Sequence, residues 1–232
     1  MRVGAALGAL TLVASGAAGA DQAQSFVPKG WVQEWTVDGD LNGDRRPDRV
    51  LVIRKDDPSL RIRNEGLGNT ELDTNPRRLV VLVRTGSNFA VAATNDTVIP
   101  PIGDTDNPCL ADPLGEGGID IARGSLRITL STWLSCGSYG VSQNTYAFRL
   151  DGRRLRLIGF DRLDYSRASG EGERLSANFL TGRYSKTTGL VIAGDQPERP
   201  RAIWRPLAKT PVFSDTVRFG ECLDVERRAG FC

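Results

Sequence analysis

The sequence predicts an all-β domain of antiparallel hairpins, and three observations carry that prediction. Apolar and polar residues alternate with a period of two in several stretches, glycine-bearing turns separate those stretches, and no segment sustains a helical period. The alternation is plainest in Leu126-Arg127-Ile128-Thr129-Leu130, in Tyr146, Phe148 and Leu150, and in Leu155 and Leu157.

In chain order, residues 1–20 come first and read MRVGAALGALTLVASGAAGA. Arg2 precedes an apolar run to about Val13, and small residues end in Ala18-Gly19-Ala20, the layout of a cleavable secretory signal. The apolar run is shorter than the ~20 residues a bilayer span requires, so the expectation is a soluble chain of residues 21–232, periplasmic or secreted. Residues 50–53 and 79–83 are continuous apolar runs and suit central strands. Four hairpins follow from the turns. Residues 79–84 and 89–93 flank Thr85-Gly86-Ser87-Asn88, 118–121 and 125–130 flank Ala122-Arg123-Gly124, 145–150 and 155–160 flank Asp151-Gly152, and 175–180 pair with the stretch from Tyr184 across Thr181-Gly182-Arg183. Short helical turns are expected around 58–64 and within 214–228. The stretches 65–76, 99–117 and 194–206, rich in Gly, Pro, Asn and Asp, read as loops. The hairpins predict one domain without choosing among a meander curled into a barrel, a sandwich and a partial propeller.

The net charge is +2 for the whole chain, and removal of Arg2 with the signal leaves +1, with both signs mixed along the sequence. Such a chain has no electrostatic footprint for nucleic acid. Cys109, Cys136, Cys222 and Cys232 form an even set in an exported chain, which predicts two disulfides. Sequence allows three connectivities. The local pairs Cys109–Cys136 and Cys222–Cys232 are favoured because short loops close at the lower entropic cost. Histidine is absent, which excludes the common Ser-His-Asp and Cys-His mechanisms and most catalytic zinc sites.

The chemically specific segment is DGDLNGDRRPDRVLVI at 38–53. Asp40, Asn42, Asp44 and Asp48 occupy positions one, three, five and nine of a compact loop, with the Arg46 carbonyl expected at seven. Calcium takes six to eight oxygens, and alternate residues of a tight loop turn their side-chain oxygens inward. The cation also relieves the repulsion among three close carboxylates. The loop resembles that of FG-GAP and VCBS-type repeats, whose core is Asp-x-Asn-Gly-Asp-Gly-x-x-Asp followed by a strand. The match covers Asp40, Asn42, Gly43, Asp44 and Asp48 in a single copy, so the resemblance implies a calcium site more strongly than it implies a propeller. Arg45 stands where the pattern has glycine, at a cost of roughly 1 kcal/mol if φ is positive. Leu51 at position twelve rules out an EF-hand. Both departures point to weak affinity, on the order of 10⁻⁴–10⁻³ M. More widely, FVPKGW, GDLNGD, NEGLG, LDTNPR and TYAFRLDGRRLRLIGFDR resemble a group of uncharacterised exported bacterial proteins and lipoproteins, which implies export and a single domain.

Other constellations have plainer readings. Asp104, Asp106, Asn107, Asp112 and Glu116 in the loop 103–118 offer a second metal site, or a polar loop pinned by Cys109. Asp161 with Asp164, and Glu171 with Glu173, are the carboxylate pairs a glycosidase would use, or solvated ion pairs. Trp31, Trp35, Trp133 and Trp204 offer a sugar-stacking platform, or core. The expected function is an exported, calcium-stabilised, non-catalytic binding or structural module whose partner is an envelope protein or a glycan. The alternative is a carboxylate-dependent hydrolase.

Overall fold

The computed structural model describes residues 22–192 and 202–232; the signal expected at 1–20 lies outside them. Thirteen strands run in chain order: β1 Trp31–Gly39, β2 Asp48–Lys55, β3 Arg61–Arg63, β4 Glu71–Asp73, β5 Arg77–Thr85, β6 Asn88–Asn95, β7 Gly118–Ala122, β8 Ser125–Trp133, β9 Gly140–Asp151, β10 Arg154–Ser166, β11 Glu171–Asn178, β12 Arg183–Val191 and β13 Ile203–Pro206. They form a four-stranded sheet β1-β2-β5-β6, a seven-stranded sheet β13-β12-β11-β10-β9-β8-β7, and the small hairpin β3-β4, all antiparallel. Each large sheet follows chain order and neither closes into a barrel, so the architecture is two meanders over a shared core.

The continuous apolar runs explain why β2 and β5 are central. Val50, Val52, Leu79 and Val81 join Leu126, Ile128, Tyr146, Phe148 and Phe160 of the larger sheet in one core. Their neighbours Leu51, Ile53, Val80 and Leu82 face the other way and pack with Ala23, Phe26, Val27 and Trp31. A helical turn at 22–24, held by Ser25 N–H donating to the Gln22 carbonyl, thus roofs the outer face of the smaller sheet. Each fully buried Val, Leu, Ile or Phe among them contributes about 1.5–3 kcal/mol by burial. On the third-strand pairing of the larger sheet, Ile158 is an extra residue between Leu157↔Phe148 and Gly159↔Ala147. This bulge shifts the phase of β10, so Leu155 and Leu157 face the core before it and Phe160 after it. Between the sheets, β1 lies against β7 closely enough that a Cβ on Gly39 would fall 2.6 Å from Ile121 Cγ2.

The turns meet expectation. Arg123 and Gly124 adopt φ of 54° and 70°, Gly152 61° and Gly182 67°. The helical turns appear at Pro58–Leu60, Ser214–Thr216 and in α1, Asp224–Ala229. Two of the expected loops carry strand instead: β4 falls within 65–76 and β13 within 194–206, while 193–201 lie outside the described residues. Both are short strands that depend on distant partners, β3 and β12, which local composition does not reveal. Both disulfides take the expected pairing, Cys109–Cys136 and Cys222–Cys232.

A buried ion network ties the smaller sheet to the loop 103–118. Arg77, 3% exposed, donates through Nη1 and Nη2 to the two oxygens of Asp112 at 2.6 and 2.8 Å and through Nε to Glu34 at 2.7 Å. Arg54 joins Glu34 to Asp73 at 2.7 and 2.8 Å. Burial would lower the Arg77 pKa, but hydrogen bonding and charge from Asp112, with Glu34, outweigh it and hold the group above its ordinary value. Asp112 is therefore a structural counter-ion.

Candidate functional site

The loop 40–48 folds as a run of side-chain-to-backbone turns. Asp40 Oδ1 accepts from the Gly43 N–H at 2.7 Å and Oδ2 from the Arg45 N–H at 2.8 Å. Asn42 Oδ1 accepts from Asp44 N–H at 2.9 Å, and Asp44 Oδ1 from Arg46 N–H at 2.8 Å. Asp48 is wholly buried, and its two oxygens accept from the N–H groups of Leu41 and Arg84 at 2.8 and 2.9 Å. It therefore ties the start of the loop to β5 as well as closing it. Arg45 adopts φ 65°, so position six is left-handed even without its usual glycine. The Arg46 guanidinium donates to the Gly86 carbonyl, fastening the loop to the β5–β6 turn. Desolvation pushes the Asp40 carboxyl up, but the N–H donors of Arg45 and Gly43 prevail and hold it below the ordinary carboxylate value.

The donor set fits calcium. The side chains offer hard oxygens, and a carboxylate that accepts one hydrogen bond per oxygen keeps further lone pairs. Asp44 Oδ2 meets only a long 3.3 Å contact from Asn42 Nδ2. Among the described residues, the one trio of potential ligand atoms within 4.8 Å of one another is Cys222, Glu226 and Cys232. The carboxylates of Asp40, Asp44 and Asp48 do not form such a trio. The Cys trio is no metal centre, because both sulfurs are joined in a disulfide and Glu226 is held by Arg162 and the Leu223 N–H.

A second polar feature lies where the inner face of the larger sheet runs past the core. Register aligns Leu130, Asn144, Arg162 and Leu175 in one row, and Thr132, Ser142, Asp164 and Glu173 in the next. Leu134, Gly140, Ser166 and Glu171 continue the same face. The second row and its continuation, with Arg162 of the first, form an open cleft of about 450 Å³ lined by Thr132, Ser142, Asp164, Ser166, Glu171 and Glu173 among others. Ser142 Oγ and Asn144 Oδ1 are buried without a hydrogen-bond partner. Arg162 donates to Asp164 at 2.9 Å and to Glu226 at 2.7 Å, while Lys186 meets Glu173 at 3.1 Å. Glu226 also accepts the Leu223 N–H at 2.7 Å, which seats α1 against the row. Tyr146, in the same column, is pushed well above its ordinary value by burial and by Glu226.

Of the carboxylate pairs expected from sequence, Glu171 and Glu173 share the inner face and both line the cleft, whereas Asp161 and Asp164 separate on the sheet. Asp161 and Asp164 are an odd number of residues apart on β10 and face opposite ways, whereas Asp164 lies directly across from Glu173. The tryptophans do not form one platform. Trp31 and Trp35 are on β1, Trp133 on β8 beneath the Arg167 guanidinium at 4.4 Å, and Trp204 on the edge strand β13 beside Arg183 at 5.6 Å. Sequence reasoning missed Ser142 and Asn144, although both are polar residues at the core phase set by Tyr146 and Phe148.

No protein-family model, curated protein or solved structure matches this chain. Among the described residues, no helix is long and apolar enough to cross a membrane.

Proposed function

We propose that the chain is an exported, calcium-stabilised, non-catalytic binding module. The observation that supports this reading is the loop 40–48, whose Asp and Asn oxygens accept backbone N–H bonds in successive tight turns and whose sixth residue holds a left-handed φ. Asp40, Asn42, Asp44 and Asp48 would hold the ion, with the Arg46 carbonyl. The ion would supply charge compensation and would stiffen the connection between β1 and β2. Two disulfides support export, since such bonds persist in oxidising compartments. The partner classes that suit an exported module of this kind are an envelope protein or a glycan, and the cleft on the larger sheet is its binding surface.

The hydrolase alternative requires two carboxylates placed across a substrate, one to donate and one to accept a proton. Here Asp164 and Glu173 are side-by-side strand neighbours, each in an ion pair. Engagement of both carboxylates in ion pairs favours binding over turnover. Purified protein is expected to turn over no member of a glycoside and phosphoester panel, with or without calcium. Turnover abolished by Asp164→Asn or Glu173→Gln would overturn the non-catalytic reading.

A further inference from the structure

We infer that the chain carries a second ligand site, between α1 and the strands β12 and β13, which takes an unbranched alkyl chain ending in a carboxylate. The site is separate from the loop 40–48 and from the cleft, and it goes beyond the reading proposed for them.

Register builds one wall. β12 and β13 pair Tyr184 with Arg205 and Lys186 with Ile203, and alternate residues of a strand share a face. Tyr184 belongs to the core, so Ile203, Arg205 and Leu207 follow one another along the inner face. A pocket of about 160 Å³ is lined there by Tyr184, Lys186, Ile203, Arg205 and Arg228 among others. Arg228 of α1 also lines a neighbouring pocket of about 260 Å³, whose walls are chiefly Phe179, Leu207, Val212, Leu223 and Val225. The two together fall in the size range of small-ligand sites. Their shared wall, α1, is fixed in place. Cys222–Cys232 brackets it, Glu226 accepts from Arg162 at 2.7 Å, and Lys186 Nζ donates to the Ala229 carbonyl at 3.1 Å. The space is therefore preformed, which spares a ligand the cost of ordering it.

The smaller pocket holds donors that lack acceptors. Arg205 makes no hydrogen bond or ion pair among the described residues. Tyr184 is 5% exposed, and its hydroxyl also has no hydrogen-bond partner among them. The unpaired buried atoms sealed from solvent are those of Ser142 and Asn144. The Tyr184 hydroxyl is therefore open, and the pocket that Tyr184 lines is where it opens. The other two cations are engaged, Lys186 with Glu173 at 3.1 Å and Arg228 with Asp224 at 2.7 Å. One guanidinium and one hydroxyl thus remain for a single carboxylate, whose two oxygens match the guanidinium fork. A cationic ligand would meet three basic side chains. A small polar anion would leave the apolar walls beyond Arg228 unused. An alkyl carboxylate answers both pockets at once.

The test is calorimetric titration of the full chain with decanoate, octanoate and decanol, on the parent and on Arg205→Gln and Tyr184→Phe. Circular dichroism and melting curves establish that each variant folds. Decanoate is expected to bind the parent saturably at one site, with amide NMR shifts confined to β12, β13 and α1. Octanoate should bind about 15-fold more weakly, the ratio that two buried methylenes imply. Arg205→Gln and Tyr184→Phe should each weaken decanoate roughly tenfold, as the loss of a hydrogen bond to a charged group implies. Decanol should bind the parent more weakly than decanoate. Octanoate as tight as decanoate would overturn the apolar half of the site, and decanol as tight as decanoate the anionic half. Equal decanoate affinity in the parent and both variants, or no decanoate binding at all, would overturn the inference as a whole.

Discussion

Replacing Arg77 by methionine is expected to destabilise the protein by about 3 kcal/mol, the lower end of the cost of breaking a buried ion pair by removing one partner. The side chain of Arg77 is 2% exposed, whereas Glu34 and Asp112 are 14% and 26% exposed. The carboxylates left behind can therefore recover part of their hydration, and this keeps the expected loss below the full range. For a chain of this length the melting temperature should fall by roughly 6–12 °C, at about 2–4 °C per kcal/mol. Arg228→Ala removes an exposed helix pair with Asp224, and its effect should stay under about 0.5 kcal/mol. Chemical denaturation of the two variants separates these outcomes. An Arg77→Met protein as stable as Arg228→Ala would show that the network from Glu34 to Asp112 is not structural.

Opening the Cys109–Cys136 disulfide has a comparable expected effect. The bond spans a sequence separation of 27 residues, and the chain-entropy relation gives about 3.5 kcal/mol for a loop of that size. Cys222–Cys232, with a separation of 10 residues, gives about 2.5–3 kcal/mol on the same relation. The first disulfide does more than shorten the unfolded chain. It closes the segment in which Ala111 N–H donates to the Trp133 carbonyl at 2.9 Å and Ser135 N–H to the Cys109 carbonyl at 2.9 Å. That same segment delivers Asp112 to Arg77. Paired Cys→Ser variants should therefore lose about 3.5 kcal/mol in the absence of reductant. Combined with Arg77→Met, they should lose less than the sum, with a coupling of 0.5 kcal/mol or more, as contacting residues show. Strict additivity in a denaturant-based double-mutant cycle would mean that the loop holds Asp112 in place without the disulfide.

The hairpins were legible because alternation and turn chemistry act over a few residues. Leu126 to Leu130 and the turn at Gly152 announce their strands locally, and the continuous runs at 50–53 and 79–83 announced two-sided burial. What covers the second face was not legible, because the roof is formed by Ala23, Phe26 and Val27, far from Leu82 and Phe89 in sequence. Of the loop 40–48, the tight turns and the left-handed φ at Arg45 were legible, since both are local. Asp112 was misread as part of an acidic surface loop because its partner Arg77 lies 35 residues away. The cleft was hidden for the same reason. Thr132, Ser142, Asp164 and Glu173 are brought side by side only by the registers of β8 to β11, and the bulge at Ile158 sets the phase of the third of these strands. A polar residue at a core phase, as at Ser142 and Asn144, was the one local sign that the inner face changes character along its length.

The proposed metal site in the loop 40–48 admits the most direct measurement. Thermal unfolding should be followed across a calcium titration after EDTA treatment, for the parent and for Asp44→Asn, with magnesium as a control. At about 100-fold excess over the dissociation constant, calcium should stabilise the parent by about 2.7 kcal/mol. EDTA should reverse the gain, and Asp44→Asn should sharply reduce it. A melting curve unchanged by calcium to tens of millimolar, or an equal gain in Asp44→Asn, would contradict a metal site at Asp40, Asn42, Asp44 and Asp48.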